Sequence, residues 1–209
     1  MLLFFILLVL ILLMLMLLVS FDPHNVFDQQ LIAWVQQFDT DFLERGAVFL
    51  SHVGSLYGTA IIAFIFLVYS LAQHKTRQAL ILVSGFASTV AVTWTLKWLF
   101  GRPRPFIEAR PFIEDGILVE TYGSAFPSAH SAYAAMIAVM FVVVLGSKRI
   151  VKYWILGIAV LWALLMGWSR VYINAHYPTD VLAGWIIAVL MMFFSAWWMN
   201  KFFMKQQFL

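Results

Sequence analysis

The chain contains no cysteine in 209 residues, which excludes disulfide bridges and thiolate metal ligands and leaves the redox compartment unreadable. Charge is nearly as scarce: Asp, Glu, Lys and Arg make up 11% of the sequence, whereas a soluble domain carries about a quarter. With 64% hydrophobic residues, the composition excludes a soluble globular protein and indicates an integral membrane protein. Residues 1–209 have room for a single polytopic membrane domain and no separate soluble one. The leading apolar run, Met1 to Val19, lacks a basic flank and a small-residue cleavage pattern before Phe21-Asp22-Pro23. It is therefore expected to stay as an uncleaved helix rather than act as a signal peptide.

Acidic residues are missing from three particular segments. Lys75 and Arg77, the group Lys148, Arg149 and Lys152, and the pair Lys201 and Lys205 have no Asp or Glu beside them. All ten acidic residues fall elsewhere: five between Asp22 and Glu44, four between Glu108 and Glu120, and Asp180. The positive-inside rule then predicts both termini in the cytoplasm of a cell-membrane protein. The net charge of +3 conceals this division, so it implies no nucleic-acid partner.

A bilayer core is ~30 Å thick and is crossed by about 20 apolar residues in a helix. Six stretches meet that description, at roughly 2–19, 53–72, 79–99, 129–146, 151–168 and 179–199. Between the first two, Phe27, Leu31, Trp34, Val35, Phe38 and Phe42 recur near helical spacing, which predicts an interfacial helix over 26–45. The expected fold is thus an all-α membrane bundle of six transmembrane helices with an interfacial helix after the first. The short links at 73–78 and 147–150 imply antiparallel neighbours. Prolines and glycines in 100–127 exclude a continuous helix and predict an external loop. In that loop Arg104-Pro-Phe-Ile-Glu108 recurs as Arg110-Pro-Phe-Ile-Glu114, an echo too short to define a repeat. The Trp and Tyr residues read as interfacial belts and packing.

Against this hydrocarbon background, three polar clusters on the outward side stand out. Lys97 ends an apolar run and Arg104 follows across a turn; a lysine point charge and a forked guanidinium together suit a phosphoryl group. Snorkelling interfacial cations would look the same. In Pro127-Ser128-Ala129-His130, Ser128 can cap a helix whose first N–H groups bind an anion, and His130 can act as an acid. In Ser169-Arg170…His176-Tyr177-Pro178-Thr179-Asp180, Pro178 suits a first helical turn. Asp180 can then accept from one ring nitrogen of His176, leaving the other as a nucleophilic or basic lone pair. A capping aspartate beside an ordinary loop histidine is the competing reading. His24, His52 and His74 lack partners at metal-ligand spacing and read as interfacial.

Taken together, Lys97-x6-Arg104-Pro105, Pro127-Ser128-Ala129-His130 and Ser169-Arg170-x5-His176-x3-Asp180 resemble the three-part motif of the type 2 phosphatidic acid phosphatase family. These are membrane lipid phosphate phosphatases related to vanadium haloperoxidases. The motifs cover 97–180, and the six-helix layout extends the likeness over the chain. The resemblance implies metal- and cofactor-free hydrolysis in two steps, with His176 attacking phosphorus and Asp180 holding its tautomer. His130 would protonate the leaving oxygen and then activate water. Lys97, Arg104, Ser128, Arg170 and the N–H groups near Ala129 and His130 would bind the phosphoryl oxygens. Ser169 belongs to the motif in a supporting role. Arg102, whose spacing from Lys97 does not fit, would assist or face lipid headgroups. One departure is Ala129, where the family usually has glycine; alanine fits if the position is already helical.

The implied substrate is a lipid phosphate held in the bilayer: a polyprenyl diphosphate, phosphatidylglycerol phosphate or phosphatidic acid, with the first favoured. Oligomeric state is not legible. Transfer of the phosphoryl group to another lipid would use the same intermediate. A non-catalytic lipid-phosphate binding or flipping protein would not need both histidines. Haloperoxidase chemistry is disfavoured because those relatives are soluble.

Overall fold

A computed structural model describes residues 2–38, 40–105, 113–114, 117–118, 123–145 and 149–206. Eight helices account for nearly all of them. They are α1 (Leu2–Phe21), α2 (Val26–Gln36), α3 (Asp41–Val53), α4 (Leu56–Ala72), α5 (Thr76–Phe100), α6 (Ala129–Leu145), α7 (Arg149–Tyr172) and α8 (Pro178–Gln206). Between α5 and α6, β1 (Ile113–Glu114) and β2 (Ile117–Leu118) form a two-residue antiparallel ladder within the expected loop. The Arg104–Glu108 echo falls largely outside the described residues, as do Lys148 and the side chains of Arg149, Lys152 and Lys205.

Four of the helices, α2, α3, α4 and α6, start where the sequence supplies a cap. Asn25, Thr40, Ser55 and Ser128 accept from the backbone N–H groups of Asp28, Leu43, Gly58 and Ser131, satisfying donors that the helix itself leaves unpaired. The Thr40 cap corrects the single helix expected over 26–45. Its extended backbone (φ −148°, ψ 147°) starts α3 anew, so the segment is divided between α2 and the first turns of α3.

Helices α1, α5, α7 from Tyr153 and α8 to Lys201 are long and apolar enough to cross a bilayer. The pair α3 and α4, bent by 57° at Gly54-Ser55, adds a fifth if read as one broken span. At 17 residues, α6 is shorter, reaching about 26 Å. Burial is inverted relative to a soluble protein. Leucines, phenylalanines and tryptophans on α1, α4, α7 and α8 face outward, with Trp98 and Tyr57 near one end of the bundle and Trp154, Trp197 and Trp198 near the other. Only a hydrocarbon surround with aromatic interfaces makes such a surface favourable.

Helix α6 is the axis of the bundle. Every residue from Ser131 to Ile137 is buried, because α4, α5, α7 and α8 surround it. Its alanines allow close approach, and Phe66, Leu82, Tyr133, Met136, Met140 and Met192 fill the remaining space. A second cluster packs α2 and α3 against the end of α7 and Val181, and a third packs Leu15 and Val19 of α1 against Phe126 and Ala183. A close backbone approach joins α6 to α8. Ser128 N–H donates to the Asp180 carbonyl at 3.0 Å, and a Cβ on Gly184 would lie 2.5 Å from the Ser128 carbonyl oxygen and 3.0 Å from Ala132 N. Because those neighbours are backbone, they cannot yield. Gly184→Ala is therefore expected to destabilise the protein by about 1–3 kcal/mol, measured as a lower melting temperature in detergent. An unchanged melting temperature would show that the two helices are less tightly joined than the structure indicates.

Candidate active site

All three polar clusters meet at one end of the bundle, where α5 and α7 end and α6 and α8 begin. Local geometry explains their spacing. Gly101 closes α5 in the left-handed region (φ 56°), its N–H bonded to the Lys97 carbonyl, and this turns Arg102 and Arg104 back over the helix end. At the end of α7 a tight turn returns the chain: Ala175 and His176 N–H both donate to the Arg170 carbonyl, and Asn174 takes a positive φ of 55°. Five residues between Arg170 and His176 are what that turn requires.

The ring of His176, 2% exposed, has its Nδ1 2.7 Å from the Ala125 carbonyl oxygen. A carbonyl only accepts, so Nδ1 carries the proton and Nε2 keeps its lone pair. Asp180, the ring partner expected from sequence, is farther away, with Oδ2 at 3.5 Å. Its oxygens are committed elsewhere, Oδ2 to Tyr177 N–H at 2.9 Å and Oδ1 to Arg102 at 2.5 Å. It therefore contributes negative charge behind the ring more than a direct hydrogen bond.

Ala125 is the last of three successive residues whose carbonyls hold site side chains. Gly123 O accepts from Arg104 Nε at 3.2 Å, and Ser124 O accepts from Lys97 Nζ at 2.5 Å. Arg104 Nη1 also donates to Ala175 O at 2.7 Å. The segment is itself pinned by Ala125 N–H on the Arg102 carbonyl at 2.8 Å. Lys97 and Arg170 are buried, whereas Arg104 and His130 are only partly so.

Sequence reasoning missed the contribution of α3. Buried Ser51 accepts from Arg170 Nη1 through its hydroxyl, and its backbone carbonyl lies within hydrogen-bonding reach of the His130 ring. A lone serine on a helix carries no signal of this. Arg102 does not meet lipid headgroups: it is 2% exposed, against Asp28, Thr179 and Asp180. Asp28 did have a sequence signal, since it shares a helical face with Leu31, Ile32 and Val35, where a carboxylate is out of place unless paired. The hydroxyl of Ser169 is turned onto the Met166 carbonyl, 2.7 Å away, consistent with a packing role. Ser128 caps α6 through Ser131, and Ala129 is already the first helical residue. His24, read as merely interfacial, meets Tyr177 Oη through Nδ1 at 2.8 Å.

Burial, followed by the charges of Lys97, Arg104, Arg170 and His130, holds the His176 pKa well below its usual 6.5. The imidazole is therefore neutral at physiological pH. Burial also lowers the Arg104 pKa, opposed by Asp180, without costing it its charge. Among the described residues no cluster of three or more His, Asp or Glu side chains is arranged to hold a metal ion.

Residues 78–204 match the profile of the PAP2 superfamily. An undecaprenyl-diphosphatase of Sulfolobus acidocaldarius is 30% identical over 151 residues, covering 71% of this chain and 66% of that protein. Phosphatidylglycerophosphatase B of Haemophilus influenzae is 44% identical over 72 residues, 32% of this chain and 30% of the relative. The chain thus matches from just under two-thirds to under one-third of the length of these curated relatives. Its fold superposes on the crystal structure of a transmembrane PAP2 type phosphatidylglycerolphosphate phosphatase from Bacillus subtilis. The TM-score is 0.80, covering 94% of this chain and 96% of that one at 24% identity, a likeness of fold.

Two outcomes test this geometry. Because Ala129 is helical and its methyl is accommodated, Ala129→Gly is expected to change turnover by less than about tenfold; rescue from no activity would mean that the methyl obstructs the site. His176 is neutral when folded and protonated below its ordinary value of 6.5 when unfolded. Its contribution is thus lost as pH falls below that value, by up to about 1.4 kcal/mol per pH unit. Thermal stability in detergent should drop between pH 6.5 and 5 less steeply in His176→Gln than in the wild type. An equally steep drop would mean that the ring is not held neutral.

Proposed function

The chain belongs to the PAP2 superfamily, and on that premise we propose that it is a membrane lipid phosphatase working through a phosphohistidine. The observation that carries the reading is the Ala125 carbonyl on His176 Nδ1, which leaves Nε2 as a nucleophile among three cations. In the first step the Nε2 lone pair attacks phosphorus, the bond from phosphorus to the leaving oxygen breaks, and protonated His130 gives that oxygen its proton. In the second, His130, now neutral, takes a proton from water, whose oxygen attacks the phosphohistidine. The P–N bond breaks, and phosphate and free His176 are regenerated. Lys97, Arg104 and Arg170 neutralise the phosphoryl oxygens, and the N–H groups at the start of α6 complete the anion site. Phosphoryl transfer depends chiefly on positioning and charge stabilisation, which these groups supply.

Six spans follow if α3 and α4 cross as one bent segment and α6 crosses despite its length, with α2 lying in the interface. Lys75, Arg77 and Lys201 lie at the end opposite the site, where Arg77 also bonds Asn200. The positive-inside rule favours placing that end, with both termini, in the cytoplasm and the site at the outer face. The tail of the substrate would stay among the helices while the headgroup meets Arg104 and His130. A polyprenyl diphosphate is the favoured substrate, in keeping with the similarity to an undecaprenyl-diphosphatase, ahead of phosphatidylglycerol phosphate and phosphatidic acid.

Phosphate release by the purified protein from those three lipids is the test, with His176→Ala beside it. Wild type should release phosphate with EDTA present, and the variant should lose at least a thousandfold in rate. Full loss of activity in EDTA would overturn the metal-free mechanism. Near-normal turnover by the variant would overturn the nucleophile. Phosphate appearing on a second lipid instead of in water would identify a transferase.

A further inference from the structure

Three buried charged residues, Asp28, Arg102 and Asp180, form a cluster beside His176. Arg102 has five N–H donors, and every one has a partner inside the fold. Nε donates to Pro23 O at 2.9 Å, and Nη1 to Thr179 Oγ1 at 2.8 Å and to Asp180 Oδ1 at 2.5 Å. Nη2 donates to Pro23 O at 2.6 Å and to Asp28 Oδ2 at 2.8 Å, and the guanidinium stacks on Tyr177, 3.8 Å from the ring centroid. No donor is left for a substrate. Asp28, fully buried on α2, accepts in addition from Thr179 N–H at 2.9 Å, Thr179 Oγ1 at 2.6 Å and Asn25 Nδ2 at 2.8 Å. It thereby caps the start of α8 from another helix.

We propose that Asp28, outside the three motifs, is a positioning residue for the nucleophile: by sharing the Arg102 guanidinium it lets Arg102 orient Asp180 without neutralising it. The inference rests on His176 being the nucleophile. Asp28, Arg102 and Asp180 together carry one net negative charge. When Nε2 bonds to phosphorus the imidazole becomes cationic, and that net charge, transmitted by Asp180 at 3.5 Å, stabilises it. Without the Asp28 charge, Arg102 and Asp180 cancel, and the ring becomes cationic beside a neutral pair. The ground-state grip on phosphate is made by Lys97, Arg104 and Arg170, which Asp28 does not touch. The effect should therefore fall on bond formation and spare binding.

The test compares wild type, Asp28→Asn and the milder Thr179→Val, which removes the hydroxyl between Arg102 and Asp28. Three quantities are measured: kcat, the affinity for inorganic phosphate, and the affinity for vanadate, which bonds to the ring nitrogen as phosphorus does in the transition state. In Asp28→Asn, kcat and vanadate affinity should both fall more than tenfold while phosphate affinity stays within about threefold. Thr179→Val should show the same selectivity with a smaller loss. Equal losses of phosphate and vanadate affinity would mean that Asp28 only holds the fold, and unchanged kcat would mean that its charge is not used; either overturns the inference. If Asp28→Asn does not fold, Thr179→Val decides by the same criteria. Failure of wild type to hydrolyse any lipid would overturn the phosphatase reading separately, and the two affinities would still decide this inference.

Discussion

Charge buried in hydrocarbon must be answered locally, and the site depends on how that is done. Lys97, Arg104 and Arg170 converge on the buried His176 ring, where their mutual repulsion is poorly screened. The backbone carbonyls of Gly123, Ser124 and Ala125 answer it, taking Arg104, Lys97 and the His176 ring in turn. Carbonyl dipoles hold Arg104 and Lys97 in place, and the Ser51 hydroxyl holds Arg170. The same row of acceptors fixes the His176 tautomer. In the proposed mechanism, holding the cations and setting the His176 tautomer are thus one structural act.

The bundle exists in this form to bring that row to the right place. Helix α6 can sit at the centre because it is built of alanine, serine and a few long side chains, and Gly184 lets α8 reach its first turn. The Ser128 N–H on the Asp180 carbonyl then joins the second and third motifs through backbone alone. Behind them, α2 and α3 each send one polar side chain inward, Asp28 to Arg102 and Ser51 to Arg170. The segment before residue 78, beyond the superfamily match, therefore carries two supports of the site.

Much of this was legible in the sequence, and the unread part has a common physical character. Apolar runs located every long helix, and motif spacing located Lys97, Ser128, His130, Arg170, His176 and Asp180 at one end of the bundle. Spacing set Arg102 aside in favour of Arg104, but whether Arg102 faced headgroups or the interior depended on Asp28, 74 residues away in the chain and visible only as a carboxylate on an apolar helical face. Backbone carbonyls leave no trace in side-chain pattern, so the hold of Ala125 on His176 was unreadable, and the role went to Asp180 alone. The division of 26–45 into two helices was signalled by Asp39-Thr40-Asp41, a capping sequence outweighed by the apolar periodicity around it.

The central claim is that His176 bonds covalently to phosphorus. Rapid quenching of the protein during turnover, followed by peptide mass spectrometry under alkaline conditions that preserve a phosphoramidate, tests it directly. The account requires a phosphoryl group on the peptide carrying residue 176, formed within the first turnover and chased off by unlabelled substrate. Steady phosphate release with no phosphorylated peptide, or with the phosphoryl group on a different residue, would contradict it.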